Sequence, residues 1–252
     1  MKCNGIVAVI PARMGSSRFP GKPLELIGEL PMIEHVRRRT LLANSIDEVL
    51  VATCDEEIFQ VVSQNGGTAV MTSSSHQRCT DRVAEAVKGL HAEVVINVQG
   101  DEPFLNPVHL DALARSMIEC PTLPCANLIA PIPLEMADST NLVKVVVDCL
   151  GRALYFSREA IPSMKTKPDP PPQYFRQLGI IAFRSIFLDQ FLDLSPTPLE
   201  RQESCDMMRA IEHGYEVMTV PVDFPFFGVD TREDLHRAEL QMSADHLYGS
   251  YR

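Results

Sequence analysis

Residues 10–24 bring together, in one short loop, the residue types that bind anions. The stretch reads IPARMGSSRFPGKPL and places Arg13, Arg18 and Lys22 among glycines, prolines and serines. A turn explains the glycines and prolines, because both residue types favour turns. It does not explain the crowded cations, since like charges repel. Backbone N–H groups, guanidinium groups and an ammonium group together bind phosphates, so the loop predicts a phosphate site, with a plain turn as the alternative.

Carboxylates follow two other apolar runs. Asp101 lies in NVQGDEP (97–103) after the run EVVI, and Asp230 lies beyond a glycine after EVMTVPVD. Carboxylate oxygens are ligands that Mg²⁺ prefers, and two separated aspartates would let the ion also bind phosphate oxygens. The alternative for Asp101 is the cap of a turn. Gln99 could bind a sugar hydroxyl or a carboxylate, or be a surface amide.

The loop SSSHQRCTDR (73–82) precedes a helical pattern. Serine, histidine, glutamine and arginine at a helix N-terminus suit an anion, and a plain N-cap at Thr80 is the alternative. His76 is not accompanied by a Ser-His-Asp spacing or a G-x-S-x-G motif. The sequence therefore does not predict a catalytic histidine.

The elements that position these loops follow from hydrophobic patterning. Apolar, β-branched runs occupy residues 6–10, 48–52, 68–71 and 93–98, and helical patterns lie around residues 31–43, 55–64, 80–90 and 107–119. This alternation is typical of an α/β sheet covered by helices on both faces. Ligands bind such sheets at the carboxyl ends of the strands, where the loops described above are expected.

The pattern changes after about residue 124. The segments CANLIAPIPL, NLVKVVVD and RALYFSREAIP predict strands joined by short turns, with LGRA at a hairpin tip. They indicate an inserted, more antiparallel subdomain, which the Pro-rich loop 165–173 follows. The remainder predicts the strands LGIIAF and EVMTVPVD, helices near 185–192 and 203–213, and a final helix opened by a capping box of Thr231 and Asp234.

Composition excludes several classes of protein. The net charge of −10, from 33 acidic and 23 basic residues, argues against a general nucleic-acid or anionic-membrane binder. The seven cysteines form no C-x-x-C pair, so neither a disulfide framework nor a zinc site is indicated. A Walker A motif and a G-x-G-x-x-G motif are both missing. With no apolar run of membrane-spanning length, the sequence predicts a cytoplasmic protein.

A set of motifs resembles one enzyme family. In chain order they are IPARMGSSRFPGKPL, VATCDEE, NVQGDEP, LVKVVVD, ALYFSREAIP, PTPLE and GVDTREDL. Together they resemble the 3-deoxy-manno-octulosonate (KDO) cytidylyltransferases, also called CMP-KDO synthetases, from about residue 5 to residue 240. The P-G-K-P-L fragment by itself is shared more widely among sugar nucleotidyltransferases.

The resemblance implies an α/β, three-layer, Rossmann-like nucleotidyltransferase fold with a mixed sheet and a small antiparallel dimerisation subdomain. It implies one domain over residues 1–252, in which about 1–124 and 214–252 bind the nucleotide and about 125–213 bind the acceptor and form a homodimer. The implied reaction converts CTP and a 3-deoxy sugar acid to a CMP-sugar and pyrophosphate. Mg²⁺ is the implied cofactor, and lipopolysaccharide biosynthesis is the implied process.

The resemblance also assigns roles to individual residues. The implied catalytic residues are Lys22, Arg13 and Asp101. The implied nucleotide-binding residues are Ala12, Arg13, Gly15, Ser16, Lys22, Gln77 and Asp101. The implied acceptor-binding residues are Gln99, Arg82, Arg158, Gln177, Ile181 and Asp206, and the implied metal ligands are Asp101 and Asp230. Such a set needs no protein nucleophile, because phosphoryl-type transfer depends mainly on positioning and charge neutralisation.

The chain departs from the family pattern at three places. QLGIIAF (177–183) replaces the usual HLGIYGY, so Gln177 and Ile181 stand where the family has histidine and tyrosine. HQRCTDR replaces HQSGTER, and CDMMR replaces LEQLR, which puts Asp206 in the place of a glutamate. These changes fall mostly on the acceptor side. The predicted acceptor is therefore KDO or a close analogue such as 8-amino-KDO, with another small acid such as a phosphonate as the alternative.

Two further classes of function remain open from the sequence. A glycosyltransferase that uses a nucleotide sugar would usually carry a D-x-D metal motif at a strand end, and none occurs there. A non-catalytic nucleotide-binding homologue would be expected to have lost Lys22, Asp101 or Asp230, and all three are present. Both observations favour the cytidylyltransferase hypothesis.

Overall fold

The structure, a computed structural model, describes residues 5–15, 19–165, 169–223 and 228–252. The predicted nucleotide-binding residue Ser16 and the loop cation Arg18 lie outside the described residues. Two compact units are formed. Unit 1 comprises Met1–Ala114 and Phe226–Arg252, and unit 2 comprises Arg115–Pro225.

The two units do not have the bounds that we predicted for the two functional parts. Residues 115–124 and 214–223 belong to unit 2, whereas they are predicted to belong to the nucleotide-binding part. The roles assigned to the parts stay predictions.

Strands and helices alternate along most of the described chain. The strands are β1 (Ile6–Ala12), β2 (Leu26–Ile27), β3 (Leu30–Pro31), β4 (Glu48–Thr53), β5 (Thr68–Met71), β6 (Val94–Val98), β7 (Cys125–Ile132), β8 (Lys144–Val147), β9 (Ala153–Ser157), β10 (Tyr174–Arg184) and β11 (Val217–Pro221). The helices are α1 (Met32–Thr40), α2 (Glu56–Gln64), α3 (Cys79–Ala86), α4 (Pro107–Glu119), α5 (Ser185–Asp193), α6 (Pro198–Glu203), α7 (Met207–Glu212), α8 (Arg232–Met242) and α9 (Tyr248–Tyr251). None of these helices combines the length and the apolarity needed to cross a membrane.

Unit 1 contains four parallel strands in the order β6, β1, β4, β5. Every residue of β1 is buried, and both α1 and α3 contact this strand. Burial of both faces explains why the strand is a continuous apolar run and does not alternate with polar residues. The four runs and four helical patterns predicted for this half of the chain all form the predicted type of element.

A small hairpin in unit 1 was not predicted. A 3₁₀ turn at Lys22–Leu24 leads into β2 and β3, which pair antiparallel through Leu26 with Pro31 and Ile27 with Leu30. Gly28 at the hairpin tip has φ +63°, in the left-handed region where glycine is favoured. Strands of two residues are too short to show an alternating pattern, which is why the sequence did not reveal them.

Unit 2 combines antiparallel and parallel pairs. β10 pairs antiparallel with β7 and β8, and β8 pairs antiparallel with β9. β11 is parallel to β7. The register between β10 and β7 shifts between Gln177 and Ile181, so these two residues border an irregularity in the strand.

The predicted helix over 203–213 is wrong at its N-terminal end. A first helix, α6, begins after Thr197, whose N–H donates to Glu200 Oε2 at 3.1 Å. Ser204 then adopts φ 51° in the left-handed region, which ends α6 before α7 begins at Met207. The two short helices are therefore separated by backbone conformation at one residue.

Candidate active site

The site of unit 1 lies where β1 and β6 end side by side. The strands are parallel, and Val9 pairs with Asn97, so Arg13 and Asp101 both follow their strands at the same edge of the sheet. A Cβ atom on Gly100 would lie 3.0 Å from the carbonyl oxygen of Pro11. Only glycine fits this close approach without a backbone shift. Gly100 was not among the predicted site residues, although its position just before Asp101 was visible in the sequence.

A backbone hydrogen bond next to Asp230 joins its segment to Asp101. The N–H of Val229 donates to the carbonyl oxygen of Asp101 at 2.9 Å. Beyond it, Thr231 and Asp234 form the predicted capping box, in which Thr231 Oγ1 accepts from the Asp234 N–H at 3.1 Å. The backbone bond and the cap together hold Asp230 at the opening of α8.

Lys22 lies between the two carboxylates. Its Nζ is 2.7 Å from Asp101 Oδ2 and 3.2 Å from Asp230 Oδ1. The lysine side chain is 11% exposed, whereas the carboxylate side chains are 32% and 41% exposed, so solutes can reach both acids. Among the described residues, one ammonium group lies between two carboxylates here, and a divalent cation would balance the charge of the two carboxylates better than one ammonium group does.

The donor set fits Mg²⁺. Two carboxylates, each a hard oxygen donor, face one point that a cation already occupies, the Lys22 ammonium group. In the described ranges, no group of three or more histidine, cysteine, aspartate or glutamate side chains is gathered as a candidate metal site. Two protein carboxylates would leave the remaining positions to water and phosphate oxygens, which is the usual arrangement for Mg²⁺ with a nucleotide.

Hydrogen bonds hold the phosphate loop, which is the stretch of residues 10–24 predicted to bind phosphate. The N–H of Gly21 donates to the carbonyl oxygen of Met14 at 3.0 Å, and the N–H of Met14 donates to Asp55 Oδ2 at 2.8 Å. Gly21 has φ +79°, which favours glycine. Asp55, from the motif VATCDEE, was not a predicted site residue. Its place directly after an apolar run was the available signal.

Most of the predicted nucleotide-side residues line one open cleft of about 270 Å³. Its lining residues are Pro11, Ala12, Arg13, Gly15, Lys22, Pro23, Cys79, Gln99, Gly100, Asp101 and Asp230. A smaller cleft of about 60 Å³ shares Pro11, Ala12, Arg13 and Cys79 with it and adds His76, Gln77, Arg78 and Arg82. The structure thus brings together every predicted site residue of unit 1 that lies within the described ranges.

Hydrogen bonds to Glu85 hold the loop that precedes α3. His76 Nε2 pairs with Glu85 Oε2, and the Ser73 N–H donates to the same oxygen at 2.9 Å. These bonds, the backbone one foremost, lower the pKa of Glu85. The alternative of an N-cap at Thr80 is wrong, because α3 begins at Cys79 and its N-cap residue is Arg78.

The side chain of Arg82 is held by hydrogen bonds within unit 1. It is buried, and its guanidinium group donates to Thr72 Oγ1 and, at 3.5 Å, to Cys54 Sγ. Cys79 was not a predicted site residue, yet its thiol lies 3.7 Å from Gln99 Oε1, within the range of a hydrogen bond to sulfur. Donation by this thiol favours the orientation of Gln99 that turns the amide nitrogen away from Cys79.

The other predicted acceptor residues lie in unit 2. Arg158 Nε donates to the carbonyl oxygen of Glu203 at 3.1 Å, and its Nη1 donates to that of Thr140 at 3.0 Å. Glu203 Oε2 accepts from the Arg158 N–H at 2.8 Å. Asp206 directly precedes α7. These contacts account for the position of Arg158 without any ligand.

Gln177 belongs to a chain of side-chain hydrogen bonds. Its Nε2 donates to Asn127 Oδ1 at 2.6 Å, and its Oε1 accepts from the Cys205 thiol at 3.2 Å. Burial raises the pKa of Cys205 to about 12, so the thiol keeps its proton and can donate. Asn127 Nδ2 in turn faces the carbonyl oxygens of Leu178 and Ile180 at 2.9 and 3.1 Å. Two departures from the family pattern, Gln177 and Cys205, are therefore in direct contact.

Ile181 is buried, with 7% of its surface exposed. In unit 2 it pairs with Asn127 across β10 and β7. This burial gives Ile181 a packing role in addition to any contact with an acceptor.

The fold and the site of unit 1 define a class of protein. A parallel α/β sheet presents an arginine, a lysine and two converging carboxylates at the carboxyl ends of its strands. Such a set is chemically suited to a nucleotide triphosphate, and it is typical of a nucleotidyltransferase.

Comparison with known proteins agrees with this class. The family described as cytidylyltransferase matches residues 7–218. Proteins named 3-deoxy-manno-octulosonate cytidylyltransferase are similar over nearly the full length: one from Pelobacter propionicus is 41% identical over 249 residues (95% of this chain, 98% of that protein). Another from Syntrophotalea carbinolica is 42% identical over 245 residues (94% of this chain, 98% of that protein).

A solved structure is also similar over nearly the full length. It is described as CMP:2-keto-3-deoxy-manno-octonic acid synthetase complexed with CTP, with a TM-score of 0.91 and 38% identity over 95% of this chain and 98% of that chain. The chain belongs to the 3-deoxy-manno-octulosonate cytidylyltransferase family. The predicted family, fold class and enzyme class are confirmed.

Proposed function

We propose that this enzyme transfers CMP from CTP to 3-deoxy-manno-octulosonate and releases pyrophosphate. A hydroxyl oxygen of the sugar acid forms a bond to the α-phosphorus, the bond from that phosphorus to the bridging oxygen breaks, and the hydroxyl proton is lost. The observation that carries the proposal is the convergence of Lys22, Asp101 and Asp230 in a cleft that Arg13 also lines. Relatives named for this reaction support it.

On the nucleotide side, Arg13, Gly15 and Lys22 would hold the triphosphate, and Ala12 and Gln77 would contact the nucleotide in the two adjoining clefts. The guanidinium and ammonium groups neutralise phosphate oxygens as negative charge moves to the leaving pyrophosphate. Lys22 is held by the two acids at 2.7 and 3.2 Å. It would exchange these partners for phosphate oxygens when the nucleotide binds.

Asp101 and Asp230 would hold Mg²⁺. The ion would supply a positive charge that neutralises phosphate oxygens during transfer. The support is the fit of the donor set described above. The backbone bond from the Val229 N–H to the Asp101 carbonyl oxygen and the cap of α8 position the two carboxylates.

On the acceptor side, Gln99 and Arg82 are the proposed contacts of the sugar acid within unit 1. The residues of unit 2 that are assigned to the acceptor, Arg158, Gln177, Ile181 and Asp206, stay predictions. Gln99 has the clearest support, since its amide lines the cleft that holds Asp101 and Asp230. The amide of Gln177 is already bonded to Asn127 and Cys205. Gln177 would therefore offer the acceptor only its second N–H and its second lone pair.

We also propose that the enzyme is a cytoplasmic homodimer that contacts neither nucleic acid nor membrane. Large apolar side chains are exposed on the β8–β9 hairpin of unit 2, namely Leu150 at 65% and Leu154 at 54%. A second copy that covered them would remove this apolar surface from water. All six cysteines in the described residues are free thiols, which agrees with a reducing compartment.

The decisive experiment measures pyrophosphate release with each of the four nucleoside triphosphates against a panel of sugar acids. CTP with KDO is expected to give turnover that depends on Mg²⁺. Turnover with a sugar phosphate or a nucleotide sugar, and none with any 3-deoxy sugar acid, would overturn the proposal.

A further inference from the structure

Tyr251, in the short helix α9, lies at the centre of a buried polar network in unit 1. The residue is 8% exposed, and its hydroxyl is 2.9 Å from His35 Nδ1 and 3.0 Å from Arg39 Nε. Both partners come from α1 and are almost fully buried. A residue near the end of the described chain thus contacts a helix that follows the phosphate loop.

The direction of each hydrogen bond in the network follows from its partners. His35 Nε2 lies 2.7 Å from the carbonyl oxygen of Ile27, which can only accept, so Nε2 carries the ring proton. Burial lowers the pKa of His35 to about 4, which keeps the ring neutral near pH 7. His35 Nδ1 must then accept, and the Tyr251 hydroxyl donates to it while accepting from Arg39 Nε. The thioether of Met242, at 3.6 Å from the hydroxyl oxygen, is a weaker acceptor.

The network extends to two segments that carry the site. Through His35 it holds the carbonyl group of Ile27, in the hairpin that follows Lys22. Through Arg39 Nη1 it holds the carbonyl group of Leu105 at 3.3 Å, in the loop that follows Asp101. The Arg39 guanidinium also lies over the ring of Phe104 in that loop, at 5.6 Å from its centroid.

Further contacts keep α9 in place. Arg38 Nη1 donates to the Tyr251 carbonyl oxygen at 3.0 Å, and Arg39 Nη2 pairs with Asp245. Tyr248 Oη accepts from the Glu29 N–H of the hairpin at 3.2 Å. Within the described residues, the hydroxyl of Tyr248 bonds to the hairpin, whereas the network of Tyr251 reaches both segments that carry the site. The two tyrosines are therefore a useful pair for comparison.

We propose that Tyr251 is a positioning residue for the active site: its hydroxyl fixes His35 and Arg39, and these two side chains fix the backbone next to Lys22 and next to Asp101. The consequence for CTP binding rests on the proposed function, whereas the linkage of the two segments does not. Removal of the hydroxyl would leave His35 Nδ1 and Arg39 Nε without their partner inside the fold, and both segments would move more freely.

The test is hydrogen–deuterium exchange of the full chain without nucleotide. Tyr251→Phe is expected to raise amide exchange at residues 25–32 and at residues 101–105, while β4 and β5 keep wild-type exchange. Tyr248→Phe is expected to raise exchange at residues 25–32 only. The matched control is Tyr174→Phe in unit 2, which also removes one buried hydroxyl, a donor to the Pro162 carbonyl oxygen at 2.6 Å, and should change neither segment.

The second readout is kinetic. At a temperature well below the unfolding transition, Tyr251→Phe is expected to raise KM for CTP by on the order of tenfold with a smaller change in kcat, since misplaced groups weaken binding and transfer. A purely structural role would reduce the active fraction, which lowers kcat and leaves KM unchanged. The Tyr174→Phe control should retain wild-type KM.

The outcomes separate the two proposals. Exchange that rises only at residues 245–252, or uniformly, would overturn the positioning role even if CTP turnover is found. A Tyr251→Phe protein that does not fold would show that the hydroxyl serves overall stability and would also overturn it. Linked exchange in both segments, without any turnover of CTP, would support the linkage and overturn only the proposed function.

Discussion

Val229 donates its backbone N–H to the carbonyl oxygen of Asp101 at 2.9 Å. Val229 and Asp101 are far apart in the sequence, and this bond is what brings the carboxylate of Asp230 to the end of β6. Lys22 then lies within 3.2 Å of both acids. The site therefore depends on segments from three separate parts of unit 1.

Asp101→Asn and Asp230→Asn are each expected to remove most of the activity while the fold remains intact. Each change replaces a charged oxygen ligand by a neutral one and weakens Mg²⁺ binding. The measurement is pyrophosphate release as a function of Mg²⁺ concentration, with circular dichroism as the check on folding. The exposed Asp189→Asn serves as the charge-matched control. Near wild-type rates for both variants at limiting Mg²⁺ would show that the metal assignment is wrong.

Lys22→Met is expected to change the affinities for nucleotide and metal in opposite directions. Loss of the ammonium group removes a partner of the phosphates, so CTP binding and transfer should weaken. The same loss leaves Asp101 and Asp230 without their shared cation, so a divalent ion should bind more tightly in the absence of CTP. Calorimetric titration with Mn²⁺ and with CTP measures both effects. Unchanged affinities for both Mn²⁺ and CTP would show that the loop is a plain turn.

Gly100→Ala is expected to reduce activity by displacing Asp101. The added Cβ would lie 3.0 Å from the Pro11 carbonyl oxygen, so one of the two strand ends must shift. The comparison is Gly249→Ala, where a Cβ would meet nothing within 4 Å. Thermal unfolding and kcat/KM for CTP are measured for both. The idea fails if Gly100→Ala retains wild-type kcat/KM.

The acceptor preference is expected to depend on Gln177 and Ile181. If both contact the acceptor, the wild type uses KDO but prefers a modified acid such as 8-amino-KDO, and Gln177→His with Ile181→Tyr shifts the preference back toward KDO. An unpaired buried hydroxyl costs about 1–3 kcal/mol, or roughly tenfold to a hundredfold in specificity. The assay is kcat/KM for both acids with both proteins.

The hydrogen bond between Gln177 and Cys205 provides the control for that experiment. Cys205→Ala removes the thiol donor without changing either position, and it is expected to leave the ratio of the two kcat/KM values closer to wild type than the double variant does. A wild type that strongly prefers KDO, together with a double variant of unchanged preference, would exclude these positions from acceptor recognition.

Leu154→Asp is expected to weaken self-association. The side chain is 54% exposed on the β8–β9 hairpin, and a charge placed in a covered apolar surface is unfavourable. Light scattering after size-exclusion chromatography gives the mass of each variant. The control is Leu240→Asp on α8 of unit 1, whose side chain is 65% exposed. A wild-type monomer, or a dimer that Leu154→Asp leaves intact, would contradict the role of this hairpin.

The sequence by itself determined the four parallel strands of unit 1 and most of the residues of its cleft. β1 is a continuous apolar run and β6 is apolar except for Asn97, because both strands are buried. The ends of these runs mark Arg13 and Asp101 without any knowledge of the fold. The capping box of Thr231 and Asp234 is also a local pattern, since its bonds span three residues. Local patterns are visible because their physical cause lies within a few residues of the chain.

Only the tertiary structure shows the contacts between segments that are distant in the sequence. Asp55 bonds the phosphate loop, Gly100 admits the Pro11 carbonyl group, and Tyr251 joins His35 to Arg39. Each of these contacts joins residues that are far apart in the sequence, and no periodic pattern in the sequence marks the side chains involved. Gln177 gives the sharpest contrast: the sequence marked it as a changed pocket residue, whereas the fold placed its amide between Asn127 and Cys205. Hydrogen bonds between distant segments exist only once packing has brought the segments together, so only the folded chain reveals them.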